Sequence, residues 1–190
     1  GGNNLTSFNG GSSTYAAVYD PATGQFLQRN TSNHSMFCAI PTMLEDGRVF
    51  VNGGDGTRER TSIFDFRTNA WTLVNDMNTG HWYPGSVALP SGQVFTALGD
   101  PGSRYPELWT PATGWSYLTG ADLQAAILNF SGYQNNWLPY FFLNGDGRIF
   151  HSGPTQQMNW IDPTGNGSVT PANLNNTWYP KYSASIMYDE

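Results

Sequence analysis

Two side chains in this sequence, a thiol and a phenol, are chemically reactive and lie at matching positions. Cys38 is the only cysteine in the chain, and it lies nine residues before Gly47. Tyr83 lies nine residues before Gly92. The two glycines hold the same place in two copies of a repeat, so the thiol and the phenol share a repeat position too. A lone cysteine cannot form an internal disulfide and needs another explanation.

The repeat is a glycine turn followed by a short apolar strand. Its three copies are EDGRVFVNGG (45–54), PSGQVFTALG (90–99) and GDGRIFHSGP (145–154). Another apolar run precedes each copy, and a hairpin with a polar tip follows it, which makes four antiparallel strands in a unit of about 45–55 residues. This period is typical of the blades of a kelch-type β-propeller.

The chain is therefore predicted to be all-β, with residues 1–190 forming part of a single β-propeller domain. Complete blades are expected near 38–74, 83–118 and 136–170, and partial blades at 15–29 and 183–190. Propellers usually close with about four to eight blades. We therefore expect the chain to be part of a larger propeller. A small closed or oligomeric propeller made of this chain alone is the alternative.

The position shared by Cys38 and Tyr83 is predicted to begin the innermost strand of a blade, which lines the central axis. Neighbouring blades are related by a rotation about that axis, so the two residues are expected side by side at the mouth of the channel. Leu138 takes this position in the third blade and brings no polar group. Spacing alone favours a structural role, because free cysteine is commonly buried as a small hydrophobe.

Charge and composition exclude several classes of function. The net charge is −6, and the eight Lys and Arg residues are scattered, so no basic stripe could bind nucleic acid. No apolar run approaches the roughly 18 residues needed to span a membrane. One lysine and abundant Asn, Gly, Thr and Ser favour a secreted or cell-surface protein.

An ordered series of motifs runs along nearly the whole chain. It comprises HSMFCAIP (34–41), HWYPGSVALPSGQVF (81–95), SGPTQQMNWID (152–162) and SIMYD (185–189). This series resembles the galactose oxidase and glyoxal oxidase family of copper-radical oxidases. The resemblance implies a seven-bladed kelch-type propeller with one copper ion near its axis, of which this chain carries about three blades and two fragments.

The resemblance also implies a cofactor that the protein makes from its own residues. A thioether bond would join Cys38 to a ring carbon of Tyr83, and the oxygen of Tyr83 would bind copper. The cross-linked pair would store one oxidising equivalent as a radical, because copper cycles by one electron and alcohol oxidation removes two. Phe37, and more loosely Phe8, match phenylalanines of the family's substrate pocket.

The family's copper site is completed by a second tyrosine and two histidines from blades later in the chain than anything present here. Imidazole is a suitable copper ligand, yet His34, His81 and His151 do not fall where the family places its copper histidines. Each is predicted to have a structural role or to hold a copper ligand in place without binding copper itself. The remainder of the propeller, in the same or another chain, is expected to supply the missing ligands.

Two departures from galactose oxidase concern the substrate. The tryptophan that stacks over the cross-link falls at Pro101, and the arginine that binds sugar hydroxyls falls at Gln134 in the pair Tyr133-Gln134. Without the bidentate donor of an arginine, vicinal hydroxyls would be held less firmly. A small aldehyde or a simple primary alcohol is therefore favoured over galactose.

The leading hypothesis is a copper-radical oxidase that uses dioxygen and releases hydrogen peroxide. The alternative is a non-catalytic extracellular kelch propeller that binds carbohydrate or serves as a structural module, because a fold does not determine a function.

Overall fold

Three four-stranded antiparallel sheets, preceded by a hairpin, make up most of the fold. The computed structural model describes residues 12–124, 137–175 and 184–188. The hairpin is formed by β1 (Ala17–Asp20) and β2 (Gln25–Gln28). The strands of the first sheet are β3 (Ile40–Met43), β4 (Val49–Asn52), β5 (Thr61–Asp65) and β6 (Ala70–Leu73).

The second and third sheets repeat the same meander. A two-residue strand, β7 (His81–Trp82), leads into the second sheet, whose strands are β8 (Gly85–Ala88), β9 (Val94–Ala97), β11 (Glu107–Thr110) and β12 (Gly114–Tyr117). Between β9 and β11, the short β10 (Asp100–Pro101) returns to pair with β7. The third sheet contains β13 (Tyr140–Leu143), β14 (Ile149–Gly153), β15 (Gln157–Asp162) and β16 (Ser168–Asn175).

The first hairpin of each sheet closes with the same turn. Gly47, Gly92 and Gly147 all have a positive φ, between 79° and 88°. Each donates its N–H to the carbonyl three residues earlier, on Leu44, Leu89 and Asn144 respectively. A left-handed backbone costs glycine little, which explains why the turn glycine recurs and why the repeat can be aligned on it.

The first strands of the three sheets lie next to one another. β3 contacts β8, and β8 contacts β13, so these are the innermost strands around a common axis. The second and third sheets approach most closely at Gly85, where an added Cβ would lie 2.6 Å from the ring of Phe141. Inner strands can therefore pack side by side because one of them carries no side chain at the contact.

The hydrophobic core lies between the faces of neighbouring sheets. Between the first and second sheets, Phe50 packs against Trp109 with ring centroids 4.8 Å apart. Between the second and third sheets, Phe95 packs edge-on against Phe141 at 5.3 Å. Side chains from both sheets interdigitate at each boundary, so the blades stabilise one another rather than forming separate cores.

The predicted all-β blade architecture is confirmed, with the three sheets forming an open array within the described residues. The third sheet extends to Asn175, five residues beyond the predicted end of its blade. Residues 184–188, within the stretch where the innermost strand of a further blade is expected, form no strand in the structure. Ser185 lies against the third sheet, with its Oγ 2.9 Å from Ser152 Oγ. The partial blade at 183–190 stays a prediction.

Large apolar side chains are exposed at both ends of the array. Phe26 of the hairpin is 72% exposed, and Tyr188 beside the third sheet is 96% exposed. No helix in the described ranges is long and apolar enough to cross a membrane.

Candidate functional site

Cys38 and Tyr83 lie in an uncommon backbone conformation that the third blade shares. Cys38, Tyr83 and Leu138 have φ values of 61°, 60° and 57°. Each residue stands two positions before the innermost strand of its blade. The shared position therefore precedes the strand, whereas the sequence predicted that it begins the strand. A left-handed conformation is uncommon for residues other than glycine, so its recurrence at one repeat position indicates a common structural cause.

That cause is a set of main-chain hydrogen bonds from blade to blade. The N–H of Tyr83 donates to the carbonyl of Cys38 at 3.1 Å, and the N–H of Leu138 donates to the carbonyl of Tyr83 at 3.0 Å. We call these two bonds and the three residues that they join the backbone belt. The belt places Cys38 and Tyr83 next to each other at one height around the axis.

Aromatic residues precede each position of the belt: Phe37, Trp82 and Trp137. The ring of Tyr83 lies 4.6 Å from the ring of Trp82 and 5.5 Å from that of Trp137, with an interplanar angle of 32° in the second pair. The two indoles also touch each other at 5.2 Å. Sequence reasoning missed this cluster, although the repeat register that relates Cys38 to Tyr83 also relates these three aromatic residues.

A positively charged side chain packs against the ring of Trp82. The guanidinium of Arg58 lies 5.2 Å from the ring centroid, a distance at which the aromatic face attracts a cation. Its Nη1 also donates to Asp100 Oδ2 at 3.2 Å, and Asp55 lies 3.7 Å from Nη2. The two carboxylates balance the charge of Arg58, so its role is to hold the indole of Trp82 in place.

His34 and His151 are buried inside the blades. His34 donates from Nε2 to the carbonyl of Gly53 at 2.7 Å, and its Nδ1 accepts from Ser62 Oγ at 2.8 Å. Burial lowers the pKa of His34, and it lowers the pKa of His151 to about 4. Both imidazoles are therefore neutral at pH 7. His34 is committed to bonds within the fold, and Nδ1 of His151 lies 3.4 Å from Asn159 Nδ2.

His81 lies two residues before Tyr83, on β7, and is also fully buried. Its Nδ1 contacts the carbonyl of Leu98, and its Nε2 lies 3.5 Å from the buried carboxylate of Glu107. Both ring nitrogens thus face groups within the second blade and away from the belt. The structure does not bring His81 together with the Tyr83 ring as a second ligand.

The remaining residues predicted for the substrate pocket are only partly described. Phe37 is half-buried next to Cys38, and its carbonyl accepts from the N–H of Asp55 at 2.8 Å. Phe8 and Gln134 lie outside the described residues. Pro101 is exposed on β10 opposite His81.

Comparison with known proteins relates this geometry to characterised enzymes. Galactose oxidase of Gibberella zeae is 28% identical to the chain over 171 residues. A solved fungal alcohol oxidase of the AA5 family, in complex with copper, superposes with a TM-score of 0.78 at 29% identity over 87% of this chain. The chain is similar in sequence to both of these oxidases. The predicted kelch-type propeller and the resemblance to this family are both confirmed by these similarities. No family model matches the sequence.

This chain corresponds to only part of these proteins. It spans about a quarter of galactose oxidase, since the match covers 25% of that protein. It covers 36% of the solved alcohol oxidase. What those enzymes bind and oxidise is a property of their whole chains.

Two neighbouring residues of the backbone belt carry groups that copper accepts. Tyr83 has a phenol and Cys38 a thiol, and their main chains are joined by one hydrogen bond. Among the described residues there is no group of three or more His, Cys, Asp or Glu side chains that could hold a metal ion. The described residues therefore fit a copper ion only in part, with the phenol and the thiol of the belt as candidate donors.

Proposed function

We propose that the protein carrying this chain is a copper-radical oxidase that oxidises a small aldehyde or primary alcohol with dioxygen. One observation carries the proposal: Cys38 and Tyr83 occupy the same left-handed position in adjacent blades and are joined by a main-chain hydrogen bond of 3.1 Å. The similarity to galactose oxidase and to a copper-containing alcohol oxidase supports it.

The first step is the formation of the cofactor. A bond forms between the sulfur of Cys38 and a ring carbon of Tyr83, while the S–H bond and one ring C–H bond break. The two protons and two electrons released pass to dioxygen, which becomes hydrogen peroxide. The product is a sulfur-substituted phenol, whose radical is easier to form and more delocalised than that of an unmodified tyrosine.

Tyr83 then has two tasks in catalysis. Its oxygen would hold copper, which supplies one of the two electron transfers that alcohol oxidation requires. Its cross-linked ring stores the other oxidising equivalent. In the overall reaction a primary alcohol loses two electrons and two protons to become an aldehyde, and dioxygen takes them up as hydrogen peroxide.

Trp137 supplies the indole that the sequence comparison expected at Pro101 and did not find there. Its ring lies 5.5 Å from that of Tyr83, and the ring of Trp82 lies 4.6 Å from the Tyr83 ring. Aromatic contacts of this kind exclude water from the radical and fill space above it.

The complete enzyme needs partners for this chain. The remainder of the propeller, in the same or another chain, would supply a second tyrosine and two histidines as copper ligands. Imidazole is well suited to copper. An oxidase that releases hydrogen peroxide is compatible with a secreted or cell-surface location.

Intact mass spectrometry of the full protein, loaded with copper in air, tests the proposal. We expect a loss of two hydrogens, and peptide mapping should join the peptides of Cys38 and Tyr83. Cys38→Ser is the control and should retain its unmodified mass. An unmodified wild-type mass would reject the oxidase and leave the non-catalytic propeller as the better interpretation.

A further inference from the structure

A fully buried carboxylate lies beneath the segment that carries Tyr83. Glu107, on β11, has no exposed surface. Its Oε2 accepts from the N–H and the Nδ2 of Asn78 at 2.8 and 2.7 Å, and its Oε1 accepts from the N–H of Thr79 at 2.8 Å. A buried carboxylate is tolerated only when it is paired or hydrogen-bonded, and here its donors come from the turn directly before β7.

His81 links this carboxylate to the second blade's inner hairpin. Its Nδ1 donates to the carbonyl of Leu98, since a carbonyl oxygen can only accept. Its Nε2 faces Glu107 Oε1 at 3.5 Å and makes no hydrogen bond among the described residues. The imidazole thus lies between Leu98, directly after β9, and Glu107, on β11.

The backbone of His81 is tied to the first blade as well. Its N–H donates to the carbonyl of Arg58 at 2.8 Å, and its carbonyl accepts from the N–H of Gly54 at 2.9 Å. Gly54 has a φ of 113°, and an added Cβ would lie 2.2 Å from the carbonyl oxygen of Ser35, so only glycine allows this approach. His81 is therefore connected to both blades that meet at Tyr83.

From these contacts we infer that His81 and Glu107 are positioning residues for Tyr83. β7 pairs with β10 over two residues only, which is too short to hold the segment by itself. His81, which is hydrogen-bonded to Leu98 and lies against Glu107, fixes the start of β7, and Tyr83 follows two residues later. The inference rests on the proposed function for its catalytic meaning, whereas the positioning of Tyr83 can be measured independently.

Two amide substitutions of His81 separate its two contacts. In His81→Gln, the side-chain amide reaches the place of Nε2 and still faces Glu107. In His81→Asn, the shorter amide reaches the place of Nδ1, so it keeps the contact with Leu98 and loses Glu107. We expect His81→Gln to cross-link at close to the wild-type rate. His81→Asn should cross-link about tenfold more slowly, because the loss of a group that orients a ligand typically costs tenfold or more.

The rate is measured by the mass loss of the full copper-loaded protein over time, and hydrogen exchange of the Tyr83 amide is measured in parallel. His81→Asn should exchange this amide faster, because its bond to the Cys38 carbonyl opens more often. Glu107→Gln provides a second variant with the same expectation, and Glu59→Gln, at an exposed glutamate of a neighbouring loop, is its control.

Equal cross-linking rates and equal Tyr83 exchange in His81→Asn and His81→Gln would overturn the inference. A wild-type protein that never cross-links would reject the proposed function instead. In that case faster amide exchange in His81→Asn, and wild-type exchange in His81→Gln, would still support the positioning role.

Discussion

At the scale of single residues, the surroundings of Tyr83 explain how a radical could persist on it. Trp82 and Trp137 both pack against the phenol ring and against each other. Arg58 then packs on Trp82, so the indole next to the phenol is itself fixed. A shell of this kind controls solvent access and thereby the redox properties of the group inside it.

Trp137→Phe should shorten the lifetime of the Tyr83 radical without preventing the cross-link. The smaller ring leaves a gap through which water can reach the phenol, so we expect the electron paramagnetic resonance signal to decay about tenfold faster. Trp160→Phe is the control, because Trp160 packs against Phe150 in the third sheet, 4.8 Å between ring centroids. Equal decay in the two variants would show that Trp137 does not shield the radical.

His151 should make the fold sensitive to mild acid. Its pKa is lowered to about 4 by burial, whereas an unfolded histidine has a value near 6.5. Between these values the unfolded chain binds more protons, so the free energy of unfolding falls as the pH falls from about 6.5 towards 4. Full passage through this window corresponds to on the order of 3 kcal/mol. Burial lowers the pKa of His34 as well and acts in the same direction.

Urea unfolding at several pH values checks this dependence. His151→Gln removes the titrating group, and its loss of stability between about pH 6.5 and pH 4 should be smaller than in the wild type. A remaining slope is expected from His34. Parallel curves for the variant and the wild type would contradict the assignment to His151.

At the scale of strands, the repeat made much of the site predictable. The turn glycines recur because each needs a left-handed backbone, and they give the register that relates Cys38 to Tyr83. The same register could have found Phe37, Trp82 and Trp137. It could not have found the contact between His81 and Glu107, which depends on how β7 lies across β11, and no local pattern encodes that arrangement.

Gly85→Ala should weaken the boundary between the second and third blades. The new methyl group would lie 2.6 Å from the ring of Phe141, and Pro139 is also only 2.8 Å away. Overpacking of a filled site costs about 1–3 kcal/mol, so we expect a drop of about 2 kcal/mol in the free energy of unfolding, measured in urea.

Gly145→Ala is the matched control for Gly85→Ala. An added Cβ at Gly145 meets nothing within 4 Å, so this substitution should change stability by less than about 0.5 kcal/mol. Similar losses of stability in both variants would mean that the destabilisation at position 85 does not come from the close approach of Phe141.

At the scale of the whole molecule, the array of blades has apolar end faces. Phe26 is exposed at one end together with Tyr19 and Leu27, and Tyr188 at the other together with Ile186; groups of exposed apolar side chains can mark a place of contact with other protein. The sequence predicted that blades would continue on both sides. Among the described residues, the three belt positions carry a thiol, a phenol and the apolar side chain of Leu138.

The 190-residue chain on its own should therefore self-associate through these faces. Phe26→Ser should raise the dissociation constant about tenfold or more, since removing a large apolar side chain from a contact costs about 1.5–3 kcal/mol. Light scattering over a range of concentrations measures this change. Leu73→Ser, at a less exposed residue of an outer strand, is the control, and a chain that remains monomeric throughout would contradict the prediction.

The backbone belt has a consequence for how such a site could be altered. Its bonds use only main-chain atoms of Cys38, Tyr83 and Leu138, so what holds each residue in place is independent of the side chain that it carries. Each blade thus offers one backbone position, at the same level along the axis, whose side chain can be exchanged. Leu138→His would place a histidine at the belt position next to Tyr83, and the same exchange is open to evolution or to a designer who wants a different metal or a different reaction at this axis.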